Sequence, residues 1–216
     1  MNKSIGLLLA ALFFGITANA QISYGLKAGV NFATLSSPSQ ESADFQTQNL
    51  LFHVTAFGDI PIANQWSVQP GLSLQGKGDK YRMEMNGGKG DLMINLMSIE
   101  IPVNIVYYVP AGPGNIFIGA GPYAGLIFSA RAKATGDAYI TTPGSDVQLK
   151  SKTITLSGDE KEMNRFDAGA NFLLGYKLDN GLLFNAGYGL GITKLNTSIG
   201  HHNSNRVFNI GVGYQF

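Results

Sequence analysis

The chain has no cysteine, which removes disulfides, thiol nucleophiles and thiolate metal sites together. Charge is sparse. Asp, Glu, Lys and Arg make up 13% of residues, where a soluble protein carries about a quarter. The formal net charge is +1, so no basic surplus is present to hold a nucleic acid. After residue 20 no apolar run approaches the ~20 residues that a membrane-crossing helix needs. Any residence in a bilayer must therefore be built from strands, whose backbone groups pair with one another.

What the chain has is an export signature followed by two-residue alternation. Residues 1–20 join Lys3 to an apolar run from Ile5 to Ile16 and end in Ala18-Asn19-Ala20. This predicts a signal peptide cleaved after Ala20, leaving 21–216 as one domain. Side chains of a strand point alternately to its two faces. Eight segments divide that way into a bulky apolar face and a small polar one: Ile22 to Phe32, Leu50 to Ile60, Trp66 to about Lys77, Leu96 to Val109, Ile116 to about Arg131, Arg165 to Leu178, Leu182 to Thr193 and Arg206 to Phe216. In the last of these, Phe208, Ile210, Val212, Tyr214 and Phe216 oppose Asn209, Gly211, Gly213 and Gln215. Each segment has roughly the ~9–11 residues of a tilted membrane strand.

The connections alternate between short and long. Pro61 to Gln65, Pro110 to Asn115 and Asp179-Asn180-Gly181 are short; Ala33 to Asn49, Gly78 to Asn95, Ala132 to Asn164 and Lys194 to Asn205 are long and polar. The pattern predicts an all-β fold, an eight-stranded antiparallel up-and-down transmembrane β-barrel, with short turns and both mature ends in the periplasm. The bulky face is expected to meet lipid. An eight-stranded bore is only just wide enough to be filled by side chains, so Phe, Tyr, Leu and Ile from every strand would overfill it. Tyr24, Trp66, Tyr107, Tyr176, Phe184, Tyr214 and Phe216 fall near the short-turn ends of the apolar face, as an interfacial girdle requires.

Several fragments carry a family likeness: Tyr24-Gly25-Leu26-Lys27-Ala28-Gly29-Val30-Asn31, Ile99-Glu100-Ile101-Pro102, Gly119-Ala120-Gly121-Pro122-Tyr123-Ala124-Gly125, Phe166-Asp167-Ala168-Gly169 and the terminal aromatic. With these the chain resembles the outer-membrane β-barrel domain family that includes PorT-like proteins. The resemblance implies an outer-membrane location, an eight-stranded barrel, and delivery by the barrel assembly machinery through the terminal Phe216. PorT-like relatives are associated with protein secretion, so the resemblance also allows an accessory role in a secretion or uptake complex.

The small face defines the candidate site. It predicts a lumen network of Lys27, His53, Asp59, Glu100, Asn104, Arg131, Arg165, Asp167 and Lys177, with Lys77 beside it and Glu100 as the hub. Charges in a narrow interior must be paired, which favours a polar plug over a conducting path. Pro102 and Pro122 each remove a ladder donor, predicting a bulge or a gap in pairing. No catalytic, cofactor or metal residues are assigned. His201 and His202, with the acids of Gly158-Asp159-Glu160-Lys161-Glu162, are the one constellation for a lipid- or peptide-modifying enzyme, and nothing in the sequence fixes their geometry. The expected partners are outer-membrane lipids and an envelope protein met through the long loops. No nucleic acid is expected, and the barrel is expected to be a monomer.

Overall fold

The computed structural model describes residues 22–36, 45–85, 88–141, 147–158, 161–195 and 203–216. The long strands among them are β1 (Ser23–Leu35), β2 (Asn49–Ala63), β3 (Trp66–Met85), β4 (Gly88–Pro110), β5 (Gly114–Gly136), β6 (Phe166–Leu178), β7 (Leu182–Gly191) and β8 (Asn205–Gln215). Each pairs antiparallel with its neighbour in sequence, and β8 returns to β1, closing a ring of eight. The closing joint is unbroken from Gly25↔Gln215 to Leu35↔Asn205.

Alternation decides the two faces. Leu26, Leu72, Ile101, Ile118, Phe172 and Ile210 are all 43–60% exposed on the outside. His53, Ser73, Glu100, Asn104 and Asp167 are buried inside. Water would penalise such an outer surface heavily, whereas acyl chains cover it at no cost. On the inside, glycine stands opposite an aromatic on the neighbouring strand: Gly25 pairs with Phe57 and Gly175 with Phe117. The rings of Phe57 and Phe117 lie against the Cα atoms of Gly25 and Gly175, where any side chain would strike them.

The turns Ala63–Trp66, Pro110–Gly114 and Leu178–Leu182 share one end with both ends of the barrel sheet. At Gly181 φ is +90°, and its N–H donates to Leu178 O at 3.0 Å, so the hairpin needs a residue at ease in the left-handed region. The outward aromatics cluster at this end. Trp66 and Tyr107 stack at 4.7 Å; Tyr107 Oη donates to Gln65 Oε1 at 2.7 Å, and Tyr176 Oη to Ala111 O at 2.6 Å.

The sequence predicts a plain loop from Gly78 to Asn95, but a hairpin extension of the fifth and sixth strands within Thr135 to Asn164, where Val147-Gln148-Leu149-Lys150 and Thr153-Ile154-Thr155-Leu156 alternate. Gly78 to Asn95 is mostly strand, because β3 runs to Met85 and β4 starts at Gly88 in one continuous register. Ala132 to Asn164 begins as strand too: β5 continues to Gly136, Ser151–Thr153 pairs with it, and Ile140–Thr141 pairs with Gln148–Leu149. Polar composition was read as loop, yet a strand above the membrane must be polar on its outer side. Gln46–Thr47 adds a further short pair with β3. The Asn86-Gly87 tip and His201-His202 lie outside the described residues.

The prolines leave gaps in the ladder. Between β4 and β5 the pairs jump from Pro102↔Tyr123 to Ile105↔Ala120 with the register kept. Between β3 and β4 they jump from Pro70↔Val103 to Ser73↔Glu100, and between β2 and β3 from Phe57↔Gly71 to Ile60↔Val68. One bulge lies apart from these gaps, where Met97 and Ser98 face Ser129 and Ile127 and leave Phe128 as the extra residue, and another register shift falls between Pro61 and Ala63 at the first turn.

Candidate functional site: the lumen and its rim

The centre of the lumen is one ion-paired cluster. Lys77 on β3 lies 2.6 Å from Glu100 Oε1 on β4 and 3.0 Å from Asp167 Oδ2 on β6, all nearly inaccessible. Its ammonium also sits 4.2 Å from the centre of the Tyr123 ring. Ser98 Oγ donates to Glu100 Oε1 at 2.7 Å. Thr193 Oγ1 and Asn205 Nδ2 donate to the two oxygens of Asp167 at 2.8 and 2.7 Å. The carboxylates therefore spend their lone pairs on fixed donors, which is how a low-dielectric interior tolerates them. Beside the cluster, His53 Nδ1 meets Asn31 Oδ1 at 2.8 Å, and Asn31 Nδ2 donates to Gln75 Oε1 at 2.8 Å.

Below the cluster lies a cavity of about 50 Å³, lined in part by Lys27, His53, Glu100, Asn104 and Asn185. Lys27 reaches over the Phe57 ring at 5.6 Å. Toward the short turns an apolar layer of Phe57, Val106, Phe117 and Leu183 packs together, one each from β2, β4, β5 and β7. Asp59 sits with these residues at the short-turn end and accepts from Gln69 at 3.2 Å, Tyr108 at 3.1 Å and Gln215 at 3.1 Å. Lys177 stands at this mouth, 4.7 Å from the Tyr108 ring centre. Above the cluster a second apolar layer of Leu35, Leu96, Ile127, Ala130, Met163 and Leu195 closes the opposite end.

Two residues expected in the lumen are not there. Arg131 is exposed on the outer face, because the extra residue Phe128 reverses the alternation beyond it: Ala130 and Ala134 point inward, and Arg131 and Lys133 outward. Arg165 is exposed because it occupies a bend just before β6, where its carbonyl accepts from Ile127 N at 2.7 Å. Residues not foreseen as part of the network include Asn31, Gln75, Ser98, Tyr123, Thr193 and Asn205. Asn31 and Tyr123 stood on the small face by parity; which strands meet across the bore depends on how the ring is sheared, and no local pattern shows that. Among the described residues, no group of three His, Asp or Glu is placed to hold a metal ion.

The wall above the membrane is uneven. β3, β4 and β5 have 20, 23 and 23 residues, against 13, 10 and 11 for β6, β7 and β8. On its outer side Asp91 pairs with Lys80 at 2.8 Å and with Arg82 at 3.5 Å. Lys80 comes first among the causes that hold the Asp91 carboxyl below its usual range. Farther on, Lys152 pairs with Glu162 at 2.5 Å, and Thr155 N donates to Glu162 Oε2 at 2.9 Å.

Solved structures similar to this chain include Ail, the attachment invasion locus protein of Yersinia pestis (12% identity, TM-score 0.43, covering 90% of this chain and 98% of that one). Neisserial surface protein A is similar at 16% identity and TM-score 0.45, covering 89% and 97%. OprG from Pseudomonas aeruginosa is similar at 12% and 0.45, covering 93% and 99%. No curated protein matches the chain significantly. Residues 17–196, most of the chain, match the family described as outer membrane protein beta-barrel domain. With its closed antiparallel ring and acyl-facing exterior, the chain belongs to that outer-membrane β-barrel family.

Proposed function

We propose that the protein is a closed barrel whose role is structural or recognitional, carried by the wall that rises above the outer membrane. The observation that carries this reading is a succession of three packed layers along the bore. An apolar floor, the Lys77–Glu100–Asp167 cluster and an apolar roof follow one another along the axis. The cavity between floor and cluster, about 50 Å³, has room for a few water molecules. A solute path would have to break buried ion pairs and displace two packed layers. Planar-bilayer recording of the pure protein tests this. No steady conductance is expected; a stable large conductance would overturn the closed lumen.

A second reading, accessory membership of a secretion or uptake complex as in PorT-like proteins, is favoured by the tall β3–β5 wall. Surfaces raised on a rigid scaffold are where partners bind. Cross-linking in intact cells separates the two: repeated capture of one envelope complex supports the second, and capture of lipid alone supports the first. Both readings assume export with cleavage after Ala20, insertion by the barrel assembly machinery and a monomer in the membrane. A purified product whose N-terminus is not Gln21 would remove the first of these assumptions.

A further inference from the structure

The central cluster of the bore is not neutral by itself. Lys77 pairs with both Glu100 and Asp167. One ammonium against two carboxylates leaves one formal negative charge, and a surplus charge in a narrow interior is costly unless it is balanced. Lys27 enters the bore from β1, with its ammonium 5.6 Å from the centre of the Phe57 ring. Among the described residues no carboxylate is paired with it. Lys27 and Glu100 both line the cavity of about 50 Å³, so the balancing charge shares that space with the cluster.

The wall of this cavity is rich in acceptors and short of donors. Asn104 and Asn185 line it, 4% and 8% exposed, and the Oδ1 of each is buried without a hydrogen-bond partner. His53 adds a third acceptor. Asn31 Nδ2 donates to Gln75 Oε1 and to Gly76 O, both at 2.8 Å, which leaves Asn31 Oδ1 to accept from His53 Nδ1. The ring proton is therefore on Nδ1, and Nε2 keeps its lone pair. Glu100 Oε1 is taken by Lys77 and Ser98, so Oε2 remains as an acceptor. Thr55 and Ser73 spend a hydroxyl on each other at 2.6 Å. Buried carbonyls of this kind call for a donor.

We propose that the cavity is a binding site for a cluster of ordered water, which donates to Asn104 Oδ1, Asn185 Oδ1 and His53 Nε2 and carries a hydrogen-bonded link from the Lys27 ammonium to Glu100. Lys27 is thereby the fourth member of the charge cluster. A buried water needs about 10–15 Å³ of such space and two to four polar partners, so the site holds about three or four. Water both accepts from Lys27 and donates to the wall. A bare anion would face the lone pairs of that wall, and a metal cation would face the ammonium. The assignment rests on the closed bore proposed above, which makes this space a chamber instead of a passage.

A high-resolution crystal structure of the purified full chain, grown once with bromide and once with rubidium, tests it. Ordered water peaks are expected within hydrogen-bond reach of both Oδ1 atoms, continuous from Lys27 to Glu100, with no anomalous peak. A bromide or rubidium peak in the cavity, a dry cavity, or Lys27 in direct contact with Glu100 would overturn the site. Urea unfolding supplies the second arm. Lys27→Met should lower the folding equilibrium constant by a factor at least roughly fivefold larger in the native background than beside Glu100→Gln. Equal factors in the two backgrounds would mean that Lys27 only packs on Phe57, and would overturn the link. Steady conductance in a planar bilayer would remove the closed bore and leave these two readouts standing, so the two readings fail separately.

Discussion

The wall made by β6, β7, β8 and β1 has strands of 13, 10, 11 and 13 residues, whereas β3, β4 and β5 on the other side have 20, 23 and 23. A bilayer asks for about 9–11 residues per tilted strand. The first wall is therefore cut close to the membrane, and the second carries about ten residues per strand that lipid does not require. The two walls also solve packing differently. At its two borders the short one has glycine on its inner face, Gly25 and Gly175, letting the rings of Phe57 and Phe117 on the adjoining strands lie on its backbone. The tall one carries Pro70, Pro102 and Pro122, each beside a gap in the ladder. Beside the β5–β6 ladder, Lys77 ties them across the bore, leaving the tall wall to reach Asp167 on the short one.

Removing that tie should have the largest effect. Lys77→Met leaves Glu100 and Asp167 buried without their cation, at a cost of about 3–5 kcal/mol. Urea unfolding in lipid or detergent should show a lower midpoint, with partial recovery when Glu100→Gln and Asp167→Asn are added. An unchanged midpoint for Lys77→Met would mean the walls do not depend on the pair. Next comes a matched pair of glycine substitutions. Gly175→Val drives a side chain into the Phe117 ring and should cost about 1–3 kcal/mol. Gly58→Val on β2 meets nothing within 4 Å and should stay within about 0.5 kcal/mol. Similar losses at both sites would mean that the ring against Gly175 does not set the cost there.

Trimming the tall wall should matter less. Replacing residues Arg82 to Asp91 by Asn-Gly would close a tight hairpin between Tyr81 and Leu92, which already pair. It removes exposed ion pairs worth about 0–1 kcal/mol, so the barrel should remain folded and heat-modifiable on a gel. Failure to fold would show that the extension belongs to the core of the molecule. The smallest effect concerns Glu162, whose carboxyl is held below its usual value, chiefly by the Lys152 hydrogen bond. A depressed acid adds stability above its unfolded value near 4.5 and loses it as pH falls through the folded value. Hydrogen exchange at the Thr155 amide should therefore quicken relative to its intrinsic rate below about pH 4.5. Constant protection down to about pH 3 would mean the contact is not maintained.

Much of this was legible in alternation alone. Period two marked eight strands, and parity put Glu100 and Asp167 on the face that the fold turns inward. Three features were not legible, for separate reasons. The bulge at Phe128 is a pairing irregularity with no glycine or proline to announce it, and it carried Arg131 outward. The upper parts of β3 and β4 are polar outside, so composition matched that of a loop. The meeting of Lys77, Glu100 and Asp167 depends on the shear of the ring, which joins residues 90 positions apart in the chain at Lys77 and Asp167.

The joint between the first and last strands runs from Gly25↔Gln215 to Leu35↔Asn205 without a missing rung, while the gaps lie elsewhere in the wall. Its partners come from opposite termini, so almost the whole polypeptide must be threaded and held before they can meet. Contacts between such distant parts of a chain are entropically slow to find. The clasp of this molecule is thus the last piece to fasten during biogenesis and, once fastened, among the hardest to undo, which suits a protein that is delivered once and then left in place.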